Sequence, residues 1–180
     1  MHGRVIGRVG LSGWARHITI DAHTRRLWVG LGSADPHVAV VAVDGLRLRH
    51  TSTLEPGFRT HDVGSAPDGT LWVTSGDAGT LAVGRVRLEA DAAPQHVTFG
   101  AGRAYVTSGD AGTFHVRGLD GELIRRTRIP TGSYNVQYGY GRVITPSLGA
   151  GTLAILDRRG ASLAVVHVAD SCHDACFAPS

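Results

Sequence analysis

The chain has 180 residues, of which 42% are hydrophobic, and a formal charge of +3. That length and apolar content suit one domain with a sizeable core. All 18 basic side chains are arginines, scattered in short pairs such as Arg25-Arg26 and Arg125-Arg126 with no aromatic-interleaved stripe, which sets nucleic-acid binding aside. No apolar run nears the roughly 20 residues of a membrane span, and the stretch from Met1 to Val9, as it stands, has no signal-peptide apolar region.

Helix formers are scarce, while Gly, Val and Thr are abundant, which favours strands and tight turns. The octapeptide Val73-Thr-Ser-Gly-Asp-Ala-Gly-Thr80 recurs unchanged as Val106-Thr-Ser-Gly-Asp-Ala-Gly-Thr113, an offset of 33 residues. Identity at a fixed offset marks a tandem array. Aligning on the first residue of each unit gives His17, His61, His96, Asn135 and His173, with spacings of 44, 35, 39 and 38 residues. That period belongs to propeller blades of four short strands.

In chain order, the innermost strand is predicted at 17–21, 61–65, 96–99 and 135–138. The second lies at 26–30, 70–75, 103–108 and 142–146, and the third at 37–43, 80–84, 113–117 and 152–156. The outer strand lies at 46–53, 86–89, 122–128 and 162–168; at 86–89 little room is left for a turn. Asp68-Gly69, Gly76 to Gly79, Asp120-Gly121 and Arg159-Gly160 punctuate the strands. The expected fold is therefore all-β, a β-propeller with about four complete four-stranded blades (17–60, 61–95, 96–134 and 135–172) and partial blades at 1–16 and 173–180. Residues 4–10 read as a lone outer strand and 173–179 as an isolated inner strand. This points to a piece of a larger propeller. A self-contained four-blade assembly or a ring-completing dimer, joined through open blade edges, are the other readings. On a strand, Cys172 and Cys176 would lie about 13 Å apart on one face, too far for a disulfide.

Units such as His61-Asp-Val-Gly-Ser-Ala-Pro-Asp-Gly-Thr-Leu-Trp-Val-Thr resemble the repeats of YVTN-type propellers. They are also similar to NHL and streptogramin lyase-like propellers, whose repeats carry a P-D-G-x-L-W core. The resemblance implies six or seven blades in the whole protein. It covers nearly the whole chain at blade level and bears on fold, since propellers serve as enzymes, sensors and docking platforms.

Three features bear on chemistry. The residues His17, His61, His96, Asn135 and His173 open the innermost strands and should ring the central channel. Converging imidazoles could hold a divalent transition metal or supply a general base; the competing role is hydrogen bonding between blades. The pairs His61-Asp62 and His173-Asp174 suggest a dyad, but neighbours on a regular strand face opposite ways. Asp77 and Asp110, in the repeated turn, read as local backbone acceptors rather than ligands. Trp28, Trp72 and Tyr105 match in the second strand and should fill the space between blades. Trp14, just before His17, reads as an ordinary loop contact or a channel-entrance residue. No cofactor-binding motif is present.

Two functions follow. One is a scaffold that binds a partner protein or small ligand at the channel mouth. The other, implied by resemblance to streptogramin lyase, is a metal-dependent lyase or hydrolase using His61, His96 and His173. That family's Glu-x-His pairing is absent, since Gly57, Asp91 and Ile124 stand two residues after Glu55, Glu89 and Glu122.

Overall fold

The computed structural model describes residues 4–178 except 6, 22, 33–35 and 46. Among them are four antiparallel sheets of four strands each and no helix. Blade 1 holds β1 (His17–Asp21), β2 (Arg26–Gly30), β3 (Val38–Asp44) and β4 (Arg47–Leu54). Blade 2 holds β5 (Thr60–Ser65), β6 (Leu71–Ser75), β7 (Thr80–Val83) and β8 (Val86–Glu89). Blade 3 holds β9 (Pro94–Gly100), β10 (Arg103–Ser108), β11 (Thr113–Gly118) and β12 (Leu123–Arg128). Blade 4 holds β13 (Gln137–Gly139), β14 (Arg142–Ser147), β15 (Thr152–Asp157) and β16 (Ser162–His167). Each sheet is an up-and-down meander, and the first strands β1, β5, β9 and β13 touch one another in series. This is a β-propeller arrangement, with the first strand of each blade innermost. No helix among the described residues is long and apolar enough to cross a membrane.

The core lies between blades. Trp28 and Val38 of blade 1 pack against Phe58, Leu71 and Val73 of blade 2. Trp72 and Leu81 of blade 2 meet Ala104 and Val106 of blade 3, with the Phe99 ring edge-on to Trp72 at 5.8 Å. Tyr105 and Phe114 of blade 3 meet Val136, Val143 and Leu156 of blade 4. Trp72 and Tyr105 are fully buried and fill the gaps between blades as expected, whereas Trp28 is half-buried at the edge of a cavity. A partly buried polar cluster joins blades 2 and 3. The Asp91 carboxylate accepts from Thr113, from His115 Nε2 at 2.9 Å and from Arg126 Nε at 2.6 Å.

Close approach of the innermost strands depends on missing Cβ atoms. One on Gly64 would stand 2.9 Å from the Phe99 ring, and one on Gly100 would stand 2.0 Å from the Tyr138 ring. Each aromatic belongs to the next blade and lies on the glycine of the one before.

The repeated octapeptide has a distinct job at each end. Its Thr74 hydroxyl accepts from the Asp62 amide at 3.1 Å and donates to the Gln95 carbonyl of the next blade at 2.6 Å. Thr107 donates in the same way to the Tyr134 carbonyl. Ser75 Oγ accepts from the amides of Ala78 and Thr80 and so closes the turn. The aspartates expected to do this point elsewhere: Asp77 pairs with Arg59 at 3.7 Å, and Asp110 accepts from Tyr134 Oη at 2.8 Å. In the first copy Ser75, two residues before the aspartate, already occupies the turn's acceptor position, while in the second Ser108 Oγ donates to the Asp91 carbonyl at 3.4 Å.

Three further expectations change. The described residues of 4–10 form no strand; Val9 and Leu11 instead lie across Val29, Leu31, Ala39 and Val41 of blade 1. Residues 173–178 form no strand either, although Phe177 covers Gly139 as Tyr138 covers Gly100. Packing of single side chains, without ladder hydrogen bonds, holds both segments. Cys172 and Cys176 are accordingly free thiols in an irregular segment. The ends of both segments, at residues 1–3 and 179–180, lie outside the described residues. Trp14 is 88% exposed and does not line the channel cavity.

Replacing Gly100 with Ala forces the Tyr138 ring away and should destabilise the protein by about 1–3 kcal/mol. Gly10→Ala meets nothing within 4 Å and should be close to neutral. Urea unfolding of the two variants checks this; equal midpoints would contradict the glycine-on-aromatic packing.

Candidate functional site

The site begins with an irregularity in the innermost strands. In β5, Thr60 pairs with Ser75 and Val63 with Val73, so His61 and Asp62 both oppose Thr74. In β9, Pro94 pairs with Ser108 and Val97 with Val106, so Gln95 and His96 both oppose Thr107. Each is a β-bulge, a device that re-aims side chains. β1 pairs without one, with Ile18 opposite Val29.

The bulges shift the equivalences by one residue. Ile18, Val63 and Val97 share a register position, since Val29, Val73 and Val106 do. The residues before them are His17, Asp62 and His96. In blade 4 the position falls to Asn135, two residues before Gln137, which pairs with Ile144 as Thr98 pairs with Tyr105. After blade 4 it falls to Asp174, three residues before Phe177 just as His96 is three before Phe99. By ladder register, and by the Phe177 contact for the last, the residues in line are His17, Asp62, His96, Asn135 and Asp174. His61 and His173 stand one place earlier.

These five positions line a cavity of about 480 Å³ at the inner ends of the blades, and His173 also reaches it. Asp62 organises one side. One carboxylate oxygen accepts from the Val63 amide at 2.8 Å and the other from the Val97 amide at 3.1 Å. His17 Nδ1 lies 3.6 Å and His96 Nδ1 lies 3.3 Å from the same carboxylate. On the other side, Asn135 Nδ2 donates to Asp174 at 2.7 Å, and His173 Nδ1 is 2.8 Å from the second Asp174 oxygen. Among the described residues no ion pair joins Asp62 to His61; its ion-pair partners are the histidines of the neighbouring blades.

His61 faces a smaller recess with Arg16, Arg59, Gly76 and Gln95, yet its ring still meets the others. The His17 and His61 rings stack at 5.3 Å, and His96 meets them edge-on at 4.8 and 5.2 Å. One nitrogen from each of the three lies within 4.8 Å of the other two. Burial pushes the His61 pKa down to about 3, helped by the charge of Arg16 and by the other two histidines. Burial likewise holds His17 below its ordinary value, against the pull of Asp62. His61 is therefore neutral at physiological pH, the form that binds metals.

The donor set suits a borderline transition ion such as zinc rather than magnesium, which prefers oxygen ligands. Tetrahedral zinc with nitrogens near 2.05 Å needs N–N edges of about 3.3 Å. The three rings would have to close by up to about 1.5 Å. Asp62 stands at ion-pair distance from two Nδ1 atoms; a closer approach on metal binding would give the carboxylate–histidine arrangement that leaves Nε2 available, while Arg16 opposes added positive charge.

Sequence reading missed Asp62 and Asp174 as channel residues. The repeated His-Asp pair was the available signal. Regular alternation sent its aspartate to the wrong face, because the bulge is not written in either strand alone.

No family model and no curated protein matches the chain. Solved structures do. Virginiamycin B lyase from Staphylococcus aureus superposes with a TM-score of 0.67 at 18% identity, covering 83% of this chain and 54% of that one. A catalytically inactive His-to-Ala variant of that lyase with quinupristin gives 0.70 at 16% identity, with 86% and 55% covered. Dihydro-heme d1 dehydrogenase NirN gives 0.67 at 11% identity, with 89% and 39% covered. The chain thus spans about half the length of the lyase structures it matches. At these identities the likeness concerns the fold, which these proteins use for different reactions. The likeness to YVTN and NHL repeats rests on the motif residues alone.

The neutral histidines make stability pH-dependent. The folded His61 titrates near 3 and the unfolded residue near its ordinary 6.5. Between those values the unfolded chain binds the extra proton, so stability falls as pH drops, by at most about 1.4 kcal/mol per unit. His17 and His115, both also lowered by burial, act in the same sense. In metal-free protein, His61→Gln should flatten the fall in urea midpoint below neutral pH. An unchanged slope would show that His61 is not held neutral.

Proposed function

We propose that this protein is a β-propeller scaffold that binds a small polar ligand at its channel mouth. One observation carries the reading. Equivalent positions of successive innermost strands, His17, Asp62, His96, Asn135 and Asp174, converge on one cavity of about 480 Å³. A cavity of that size with a few convergent polar groups is the usual form of a small-molecule site. Its two carboxylates and its imidazoles favour a ligand bearing hydroxyl or amino groups, which both accept and donate. A protein partner seated on the same mouth would use the same residues.

A metal-dependent lyase or hydrolase is the second reading. It is favoured by the three imidazoles with nitrogens within 4.8 Å, and by the fold shared with a lyase whose His-to-Ala variant is inactive. A zinc ion held by His17, His61 and His96 would polarise an ester or lactone carbonyl. This chain's own residues would position that substrate: Asn135 as a hydrogen-bond donor, and Asp174 beside His173 as an acceptor.

Ligand-observed NMR on a set of small polar compounds tests both readings, with wild type compared to His96→Ala, before and after one equivalent of zinc. Compounds whose signals respond without metal and lose at least about tenfold in affinity on the substitution support the scaffold. Binding that requires zinc, together with ester or lactone cleavage, moves the assignment to the lyase or hydrolase. Binding indifferent to His96 in every condition contradicts both.

A further inference from the structure

A second cavity, of about 460 Å³, opens between blades 1 and 2 and shares no lining residue with the channel cavity. Its origin is the length of a turn. In blades 3 and 4 the connection from third to outer strand has four residues, 119–122 and 158–161. Each folds back over the preceding blade. A Cβ on Gly121 would meet Leu88 of blade 2 at 2.3 Å, and one on Gly160 would meet Val116 of blade 3 at 2.6 Å. The blade 4 turn also accepts the Tyr105 hydroxyl of blade 3 through the Arg158 carbonyl at 3.0 Å.

Blade 2 has only Gly84 and Arg85 between the paired residues Val83 and Val86. Gly84 has φ of +58°, as a two-residue hairpin turn with glycine first requires. This turn does not reach back: a Cβ on Gly84 would meet only Thr70 of its own blade, at 3.8 Å. Trp28, the blade 1 counterpart of Tyr105, therefore gains no partner from it, and its indole N–H is buried without a hydrogen bond. The Trp72 N–H is also unpaired, but that ring is fully buried against Phe99. At the first interface, the missing turn leaves a cavity against the aromatic.

The cavity wall is apolar: Trp28, Val38, Leu71, Val73 and Ala82. The rim is basic. Arg87 donates from Nε to the Pro56 carbonyl at 2.8 Å and so secures the neighbouring loop. Glu55 is matched by His37 at 3.3 Å. The Arg85 side chain lies exposed at the rim with no ion pair or side-chain hydrogen bond among the described residues. A flat apolar body fits the wall, where an indole offers large contact area. An anionic group fits Arg85, whose planar fork suits carboxylates. We propose that this interblade cavity binds a small aromatic acid, its ring against Trp28 and its anionic group on Arg85.

Two fluorescent probes of one ring system test this: anionic anilinonaphthalene sulfonate and neutral phenylnaphthylamine. The sulfonate should saturate at one per chain and bind more tightly than the amine. Arg85→Ala should weaken the sulfonate about tenfold and leave the amine unchanged. Replacing Gly84-Arg85 with the four-residue turn Leu119-Asp-Gly-Glu122 should close the cavity and abolish both. Sulfonate binding unaltered by Arg85→Ala, or amine binding as tight as sulfonate binding in the wild type, would overturn the proposal; the Arg85→Ala comparison stands even if the turn replacement fails to fold.

Discussion

The innermost strand of a propeller blade has a ladder partner on one side only. Its other edge faces the neighbouring blades, and buried backbone groups there must find acceptors and donors elsewhere. In this protein side chains supply them. Asp62 accepts the Val97 amide of the next blade, Thr74 donates to the Gln95 carbonyl, and Thr107 donates to the Tyr134 carbonyl at the next junction. The fold therefore requires polar side chains at its centre, where a core would ordinarily be apolar. The channel chemistry is a by-product of that requirement before it is anything else. Ligand recognition would draw on the surplus: hydrogen-bonding capacity that the backbone leaves unused on Asp62, Asp174 and the imidazoles.

The architecture was legible because it repeats. Hydrophobic alternation, paired turn residues and the duplicated octapeptide located all four strands of every blade to within about three residues at either end, including the short outer strand at Val86–Glu89. A two-residue turn solved the shortage of chain there. The site was legible only in part. Alignment on histidine is a one-dimensional operation, and it placed His61 in line with His17. The register places Asp62 there instead, because a bulge inserts a residue opposite Thr74. At that bulge the Asp62 amide donates to Thr74 Oγ1 of its own blade, and Thr74 donates on to the Gln95 carbonyl of the next, a contact that no single repeat contains. The turn aspartates were misread for a similar reason. The acceptor was Ser75, within the same octapeptide, and only geometry shows which oxygen reaches the amides.

The two cavities arise from opposite causes. At the channel mouth, polar groups converge because the innermost strands must be stitched together, and burial keeps His61 and His17 uncharged. Between blades 1 and 2, a shortened turn leaves an apolar wall uncovered beside Trp28. One is a product of repetition and the other of its interruption. A propeller can thus vary what it binds without altering the strands that hold it together, which accords with the different reactions found on this fold.

Asp62 is the residue on which the channel account turns, and the protonation site of His96 reports on it most directly. Two-bond proton–nitrogen NMR of the histidine rings, in mildly alkaline buffer with His96→Gln for assignment, distinguishes the tautomers. His96 should be protonated on Nδ1, beside the Asp62 carboxylate, with Nε2 bare, and should lose that preference in Asp62→Ala. His96 protonated on Nε2 in both proteins would contradict it, and would leave Asp62 a backbone acceptor with no hold on the ring.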